Sequence, residues 1–220
     1  MKRDLVRFLQ KIGVDTRFVS IGPNKVFINN LKFSRFSRKK EEVFKKNFPE
    51  IEVIRSTIFQ KICIRASRNL AHCISPKDKI FAIKGDDPNN FTLSMILEPY
   101  KRKYGIEILS GDDISETNDL DIDSIALPVT LDDEARNILN LILNGQKIKL
   151  LSAAEEYNGN KLIYPLINLP ESWIYSWTDD NTEKEFKQEY NSSEELLNFL
   201  ETIIPDVREN LYKSALFLDK

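Results

Sequence analysis

The sequence predicts an α/β fold with a parallel sheet, carrying a basic N-terminal hairpin and helix extension. Three observations predict it. The strand-like runs KIFAIK (79–84) and IEILS (106–110) flank a helical stretch, and strand, helix, strand in that order closes a βαβ unit with parallel strands. Residues 131–144 carry a helical apolar stripe with both a start and a stop signal. Finally, residues 1–84 hold 20 Lys and Arg against 7 Asp and Glu, net +13, while the rest holds 12 against 27, net -15.

The totals set limits on the class. A chain of 220 residues suits one domain with an extension, and we place the boundary between 1–55 and 56–220. Hydrophobic residues at 41% and charged ones at 30% are enough for a packed interior. No apolar run nears the ~20 residues of a membrane span, and the first nine residues are charged and amphipathic rather than a signal peptide. The expectation is a cytoplasmic protein without a membrane partner. Cys63 and Cys73, the two cysteines, cannot make a disulfide framework.

Taken in order, Leu5, Phe8, Leu9 and Ile12 share a helical face, and Gly13 stops that helix. TRFVSI (16–21) and KVFINN (25–30) read as a hairpin across Gly22, Pro23 and Asn24. Lys32 to Lys46 is the most basic stretch, with Phe33, Phe36 and Phe44 among its cations. Ser56 is the N-cap of a helix to Cys73, with Ile58, Ile62, Ala66, Leu70 and Cys73 inward and Lys61, Arg65 and Arg68 outward. After strand 79–84 comes the loop GDDPNN, then one helix from about 90 to 104 stopped by Gly105. Residues 111–123 form an acidic linker, and 124–129 a strand. Thr130 and Asp133 cap the helix that follows, and Ala135, Ile138, Leu139 and Ile142 are its inner stripe. Strands are expected at 147–151 and 161–167, then Trp173 and Trp177 at helical spacing, and helices at 193–204 and 207–217. The sequence has no internal repeat.

Four blocks carry a resemblance. SPKDKIFAIKGDDPNNFTLSMIL is similar to the first βα unit of PP-loop ATP pyrophosphatases, where a phrase of the form SGGxDS follows the strand. LDDEARNILNLILNG (131–145), KLIYPLINLPESWI (161–174) and FLETIIPDVRENLYKSALFL (199–218) resemble successive segments of the tRNA thiolation enzymes of that superfamily. The resemblance implies an adenine nucleotide alpha hydrolase-like domain.

The departures decide the functional expectation. A PP-loop wraps glycine-rich backbone N–H groups around pyrophosphate. Here Lys84 stands for the leading Ser, Gly85 for the first Gly, Asp86 for the second, Pro88 for the acidic residue and Asn89 for the final Ser, with Asp87 adding a second charge. Two carboxylates repel phosphate and the proline removes a donor. Only 20 residues separate Ser110 from Leu131, and none is a cysteine, so the sulfur-handling thiols of the active enzymes have no counterpart. Cys63 and Cys73 read as helix packing, with redox chemistry the alternative. Asp132, Asp133 and Glu134 read as a dipole-stabilising first turn, with a magnesium site the alternative.

The degenerate loop resembles that of the cytoplasmic tRNA 2-thiolation protein 2 family, the non-catalytic partner in wobble-uridine thiolation. What this implies is a subunit with no catalytic residue, cofactor or metal. It would bind tRNA through Lys32, Arg35, Arg38, Lys39, Lys40, Arg65 and Arg68 and form a heterodimer with a catalytic PP-loop thiolation subunit, with a ubiquitin-related sulfur carrier as a further partner. Phe33 and Phe36 are candidates to stack on unpaired bases, or else to be buried under the extension. The alternatives are an ATP-dependent sulfurtransferase or adenylating enzyme with a remodelled loop, and a protein-interaction module without RNA.

Overall fold

The computed structural model describes residues 2–179 and 192–218. The chain opens with α1 (Lys2–Lys11), the antiparallel pair β1 (Val19–Ile21) and β2 (Lys25–Ile28), α2 (Leu31–Ser34), α3 (Arg38–Asn47) and β3 (Glu52–Ile54). β3 joins β2 in parallel, so the predicted hairpin is the edge of a three-stranded sheet in the order β1-β2-β3. Leu5, Leu9, Val19, Ile28, Phe36 and Phe44 form its core.

The second sheet follows. α4 (Thr57–Cys73) starts at Ser56, whose hydroxyl accepts from Phe59 N, as predicted. Then come β4 (Lys79–Ile83), α5 (Pro88–Leu97), α6 (Tyr100–Lys103), β5 (Glu107–Gly111), β6 (Ser124–Ala126) and α7 (Leu131–Leu143). β7 (Glu156–Tyr157), β8 (Asn160–Ile163), α8 (Glu171–Asp179), α9 (Ser192–Glu201) and α10 (Val207–Leu218) complete the described residues. The five-stranded order is β5-β4-β6-β8-β7, parallel except for the short edge strand β7, as the βαβ pattern required. Strand alternation turns Ile80 and Ala82 toward the core shared with α4, α5 and α8, while Phe81, equally buried, takes the other face.

The two sheets share contacts. Phe27 of β2 lies in the second core, 5.4 Å from Trp177 and 5.6 Å from Phe59 by ring centroid. Arg102 donates to the carbonyls of Thr16 and Val19 while pairing with Glu98. Glu98 in turn accepts from Ile21 N, and Ser20 donates to the Met95 carbonyl.

Several expected elements differ. The single helix over 90–104 is two, because Pro99 has no N–H to continue α5. α5 begins at Pro88 because Asp87 caps it. Residues 147–150 form no strand; Leu150 is buried against Ile138 and Ala215. The sheet edge is instead the β7–β8 hairpin, turned by Asn158 and Gly159 at φ 49° and 81°, the left-handed geometry that Asn-Gly favours. Ile142, expected inward, is exposed. The acidic linker is held in place, with Lys79 bonded to Asp121 and Asp123, and with Glu116 accepting from Asp112 N and Asp113 N directly over Gly111. A Cβ on Gly111 would press on that carboxylate, so a larger residue there would have to move the Glu116 side chain.

Candidate functional site

The turn from β4 into α5 is the position a nucleotide loop would occupy, at the carboxyl end of a central parallel strand. Lys84 N donates to the Gly111 carbonyl, which pins the start of the turn to β5. Asp87 is the N-cap, and its Oδ1 accepts from Asn89 N and Asn90 N at 3.1 and 3.0 Å. Its Oδ2 accepts from Asn90 Nδ2 at 2.6 Å. Helix N-terminal amides are where a phosphate would bind, and here the chain's own carboxylate takes them. Pro88 sits at the first helical position, where its missing N–H costs nothing. The Asp87 and Asn90 side chains also close over Gly85, so that a Cβ there would meet both at 2.5 Å. The glycine serves this self-capped turn. The side-chain oxygens of Asn89 and Asn90 are buried without a hydrogen bond. Beside the turn lies a cavity of about 590 Å³, lined by Lys2, Lys84, Asp86, Glu98 and Lys101 among others.

The acids of the α7 first turn are structural in a stronger sense than a helix dipole. Thr130 and Asp133 form the predicted capping box. Asp132, buried, accepts from Glu171 N at 2.7 Å and pairs with Arg208 at 2.9 Å. Arg136 bridges Asp133, Glu171 and Glu194, and Arg208 also bridges Glu194 and Glu201. Glu134, fully buried, accepts from Leu151 N, Ser152 N and Ser152 Oγ. Burial, foremost, pushes Asp132 up to about 6, against the pull of Glu171 N and Arg208. The bonds from Arg208 and Arg136 outweigh burial at Glu194 and hold it below its ordinary value. No group of three or more His, Cys, Asp or Glu is placed to hold a metal ion among the described residues.

The basic candidates divide in two. Lys32, Arg35, Arg38 and Lys39 are exposed on or beside α2 and α3, although Arg38 reaches Glu41 at 3.3 Å. Lys40 is half-buried and donates to the Gly13 carbonyl. Arg65 and Arg68 line a separate cavity of about 290 Å³ with Glu209 and Lys213. Arg65 is committed there, bonded to Glu209 and the Asn168 carbonyl and stacked 4.6 Å from Trp173. Of the two phenylalanines, Phe36 is wholly buried between Phe44 and Arg55 and cannot stack on a base, whereas Phe33 is 53% exposed. The sequence reading missed Arg17, Phe18, Tyr100 and Lys103, which with Phe33 line a cavity of about 410 Å³. The adjacent cation and ring in TRF (16–18) were the local signal.

No family model matches the chain. A probable sulfurtransferase of Methanocaldococcus jannaschii is 30% identical over 95 residues, 42% of this chain, and the matched stretch spans 28% of that relative's length. Among solved structures, the U34-tRNA thiolase NcsA from Methanococcus maripaludis, described with its 4Fe-4S cluster, matches with TM-score 0.56 at 12% identity. It covers 73% of this chain and 78% of its own. The fold, an α/β domain with a mostly parallel central sheet, is similar to that of this thiolase. The residues of this chain do not fit the cluster of that neighbour. Iron–sulfur clusters are held by several cysteine thiolates. Cys63 and Cys73 are the two cysteines of the sequence, ten residues apart on α4, or about 15 Å along the helix axis. Both are half-buried against the core, and burial raises the Cys63 thiol far above its ordinary value.

Proposed function

We propose that the chain is a non-catalytic subunit of a tRNA wobble-uridine 2-thiolation complex, binding tRNA and a catalytic PP-loop partner. The PP-loop thiolase fold and the partial similarity to a probable sulfurtransferase support the thiolation setting. The observation that carries the non-catalytic reading is the Asp87 carboxylate, seated on the helix N–H groups that would otherwise face phosphate. An anion arriving there must displace one hydrogen-bonded carboxylate and approach Asp86. The exposed cations of α2 and α3 support tRNA as partner. Exposed Phe199, Ile203, Phe217 and Leu218, on α9 with its following turn and on α10, supply apolar surface for a protein partner.

Isothermal titration of the chain with Mg-ATP tests the reading. No heat of binding in the micromolar range is expected. Micromolar binding would favour the rival reading, an adenylating enzyme with a remodelled loop, which draws on the cavity beside Lys84.

A further inference from the structure

We propose that the cavity between α2, α4 and α6 receives an unpaired RNA base, with a flanking phosphate held by Arg17 and Arg35. The proposal rests on the tRNA-binding reading and assigns that reading a place. The cavity measures about 410 Å³, within the range of small-molecule sites and ample for one base.

Its walls have the chemistry for this ligand. Phe18 and Phe33 lie 5.3 Å apart at 34°, and Phe33 leaves half its surface in water on a helix of only four residues. An exposed ring beside a cavity is a stacking platform, and stacking tolerates any base. Lys103 Nζ stands 4.9 Å from the Tyr100 ring centroid, so a cation borders the aromatic wall. Asn30 uses its side-chain oxygen to cap α2, which leaves its NH2 group without a hydrogen bond among the described residues and able to donate to a base edge. No Asp or Glu lines the cavity among the described residues.

The phosphate side adjoins it. Arg17 lines this cavity and also a neighbouring one of about 380 Å³ that contains Arg35 and Arg102. Arg102 is taken up by Glu98 and two backbone carbonyls, so Arg17 and Arg35 are the cations left to meet an anion. Asp15 holds Arg17 through Nε and Nη2, which aims the guanidinium while leaving Nη1 for a phosphate oxygen. Asp15 is also the carboxylate a phosphate must share that arginine with. Base on rings and phosphate on arginines, side by side, match single-stranded RNA rather than a duplex, whose bases are stacked away.

Fluorescence anisotropy on the full chain tests this, with a labelled single-stranded RNA of roughly a dozen nucleotides and its blunt duplex. Phe33→Ala should weaken single-strand binding about tenfold with little change for the duplex, and Phe33→Trp should restore it. Phe33 is exposed, so an unchanged melting temperature for the variant separates a lost contact from a lost fold. Arg17→Ala should weaken binding and lower the salt slope by about one. If single-stranded RNA binds and Phe33→Ala leaves its affinity unchanged, the cleft proposal is wrong and the tRNA reading survives. If no RNA binds at low salt, both fail. Loss of a protein partner on Phe33→Ala with RNA binding intact would give the cleft to a protein and overturn the proposal.

Discussion

Asp87 reads differently in sequence and in space. As a letter in GDDPNN it is a negative charge beside a phosphate site, and repulsion is the inference. In the fold it is an N-cap making two backbone hydrogen bonds and one to Asn90. The helix N-terminus is therefore capped by this side chain as well as flanked by negative charge. Asp132 shows the opposite case, a carboxylate that looks like a favourable first-turn acid but is buried and holds its proton to about pH 6. An unfolded aspartate loses its proton near 3.8. Between those values the folded state binds more protons, so this residue adds stability as pH falls from 6 toward 4 and costs stability above 6. Glu194 acts in the other sense: its contribution is present above its ordinary 4.5 and lost as pH falls through its lower folded value. Urea denaturation at pH 7 and pH 5 should show wild type gaining on the order of 1 kcal/mol relative to Asp132→Asn at the lower pH. Parallel profiles for the two proteins would refute it.

At the scale of elements, α7 was the segment most fully legible. Thr130, Asp133 and the stripe through Ala135, Ile138 and Leu139 are local facts of spacing, and the structure reproduces them. Its partners were not legible. Arg136 meets Glu171 and Glu194, and Arg208 meets Asp132, 35 to 76 positions away in the chain. Such pairs have no sequence period, which is why the same three acids also read as a magnesium site. Removing one member of a buried pair strands the other's charge. Arg208→Ala is accordingly expected to lose about 3–5 kcal/mol in chemical denaturation, a far larger effect than loss of the exposed Arg38. A loss under about 1 kcal/mol would show that water screens the network. The β7–β8 turn was legible and passed over: Asn158-Gly159 is a strong hairpin signal, weakened by strands of two and four residues.

For the whole molecule, the charge split between 1–84 and 85–220 has a spatial counterpart. Lys32, Arg35 and Lys39 stay exposed, while Arg65 pairs across to Glu209 of the acidic part. Neutralisation across the fold thus accounts for Arg65, and the exposed cations are the ones the proposed RNA contact would use. The combined change of Lys32, Arg35 and Lys39 to Ala should lower the slope of log affinity for tRNA against log salt by about 2 to 3, measured by filter binding across ionic strength. An unchanged slope would place the RNA contacts elsewhere. The sequence by itself determined the parallel α/β class, the caps at Ser56 and Thr130, and the scarcity of glycines and cysteines, because periodicity, capping and composition are properties of neighbouring residues. Tertiary structure alone decided that Phe36 is buried and Phe33 is not, that Arg65 is engaged, and that Phe18, Phe33 and Tyr100 share one cavity. Those outcomes depend on which distant surfaces meet, and the free energy of burial is settled only when they do.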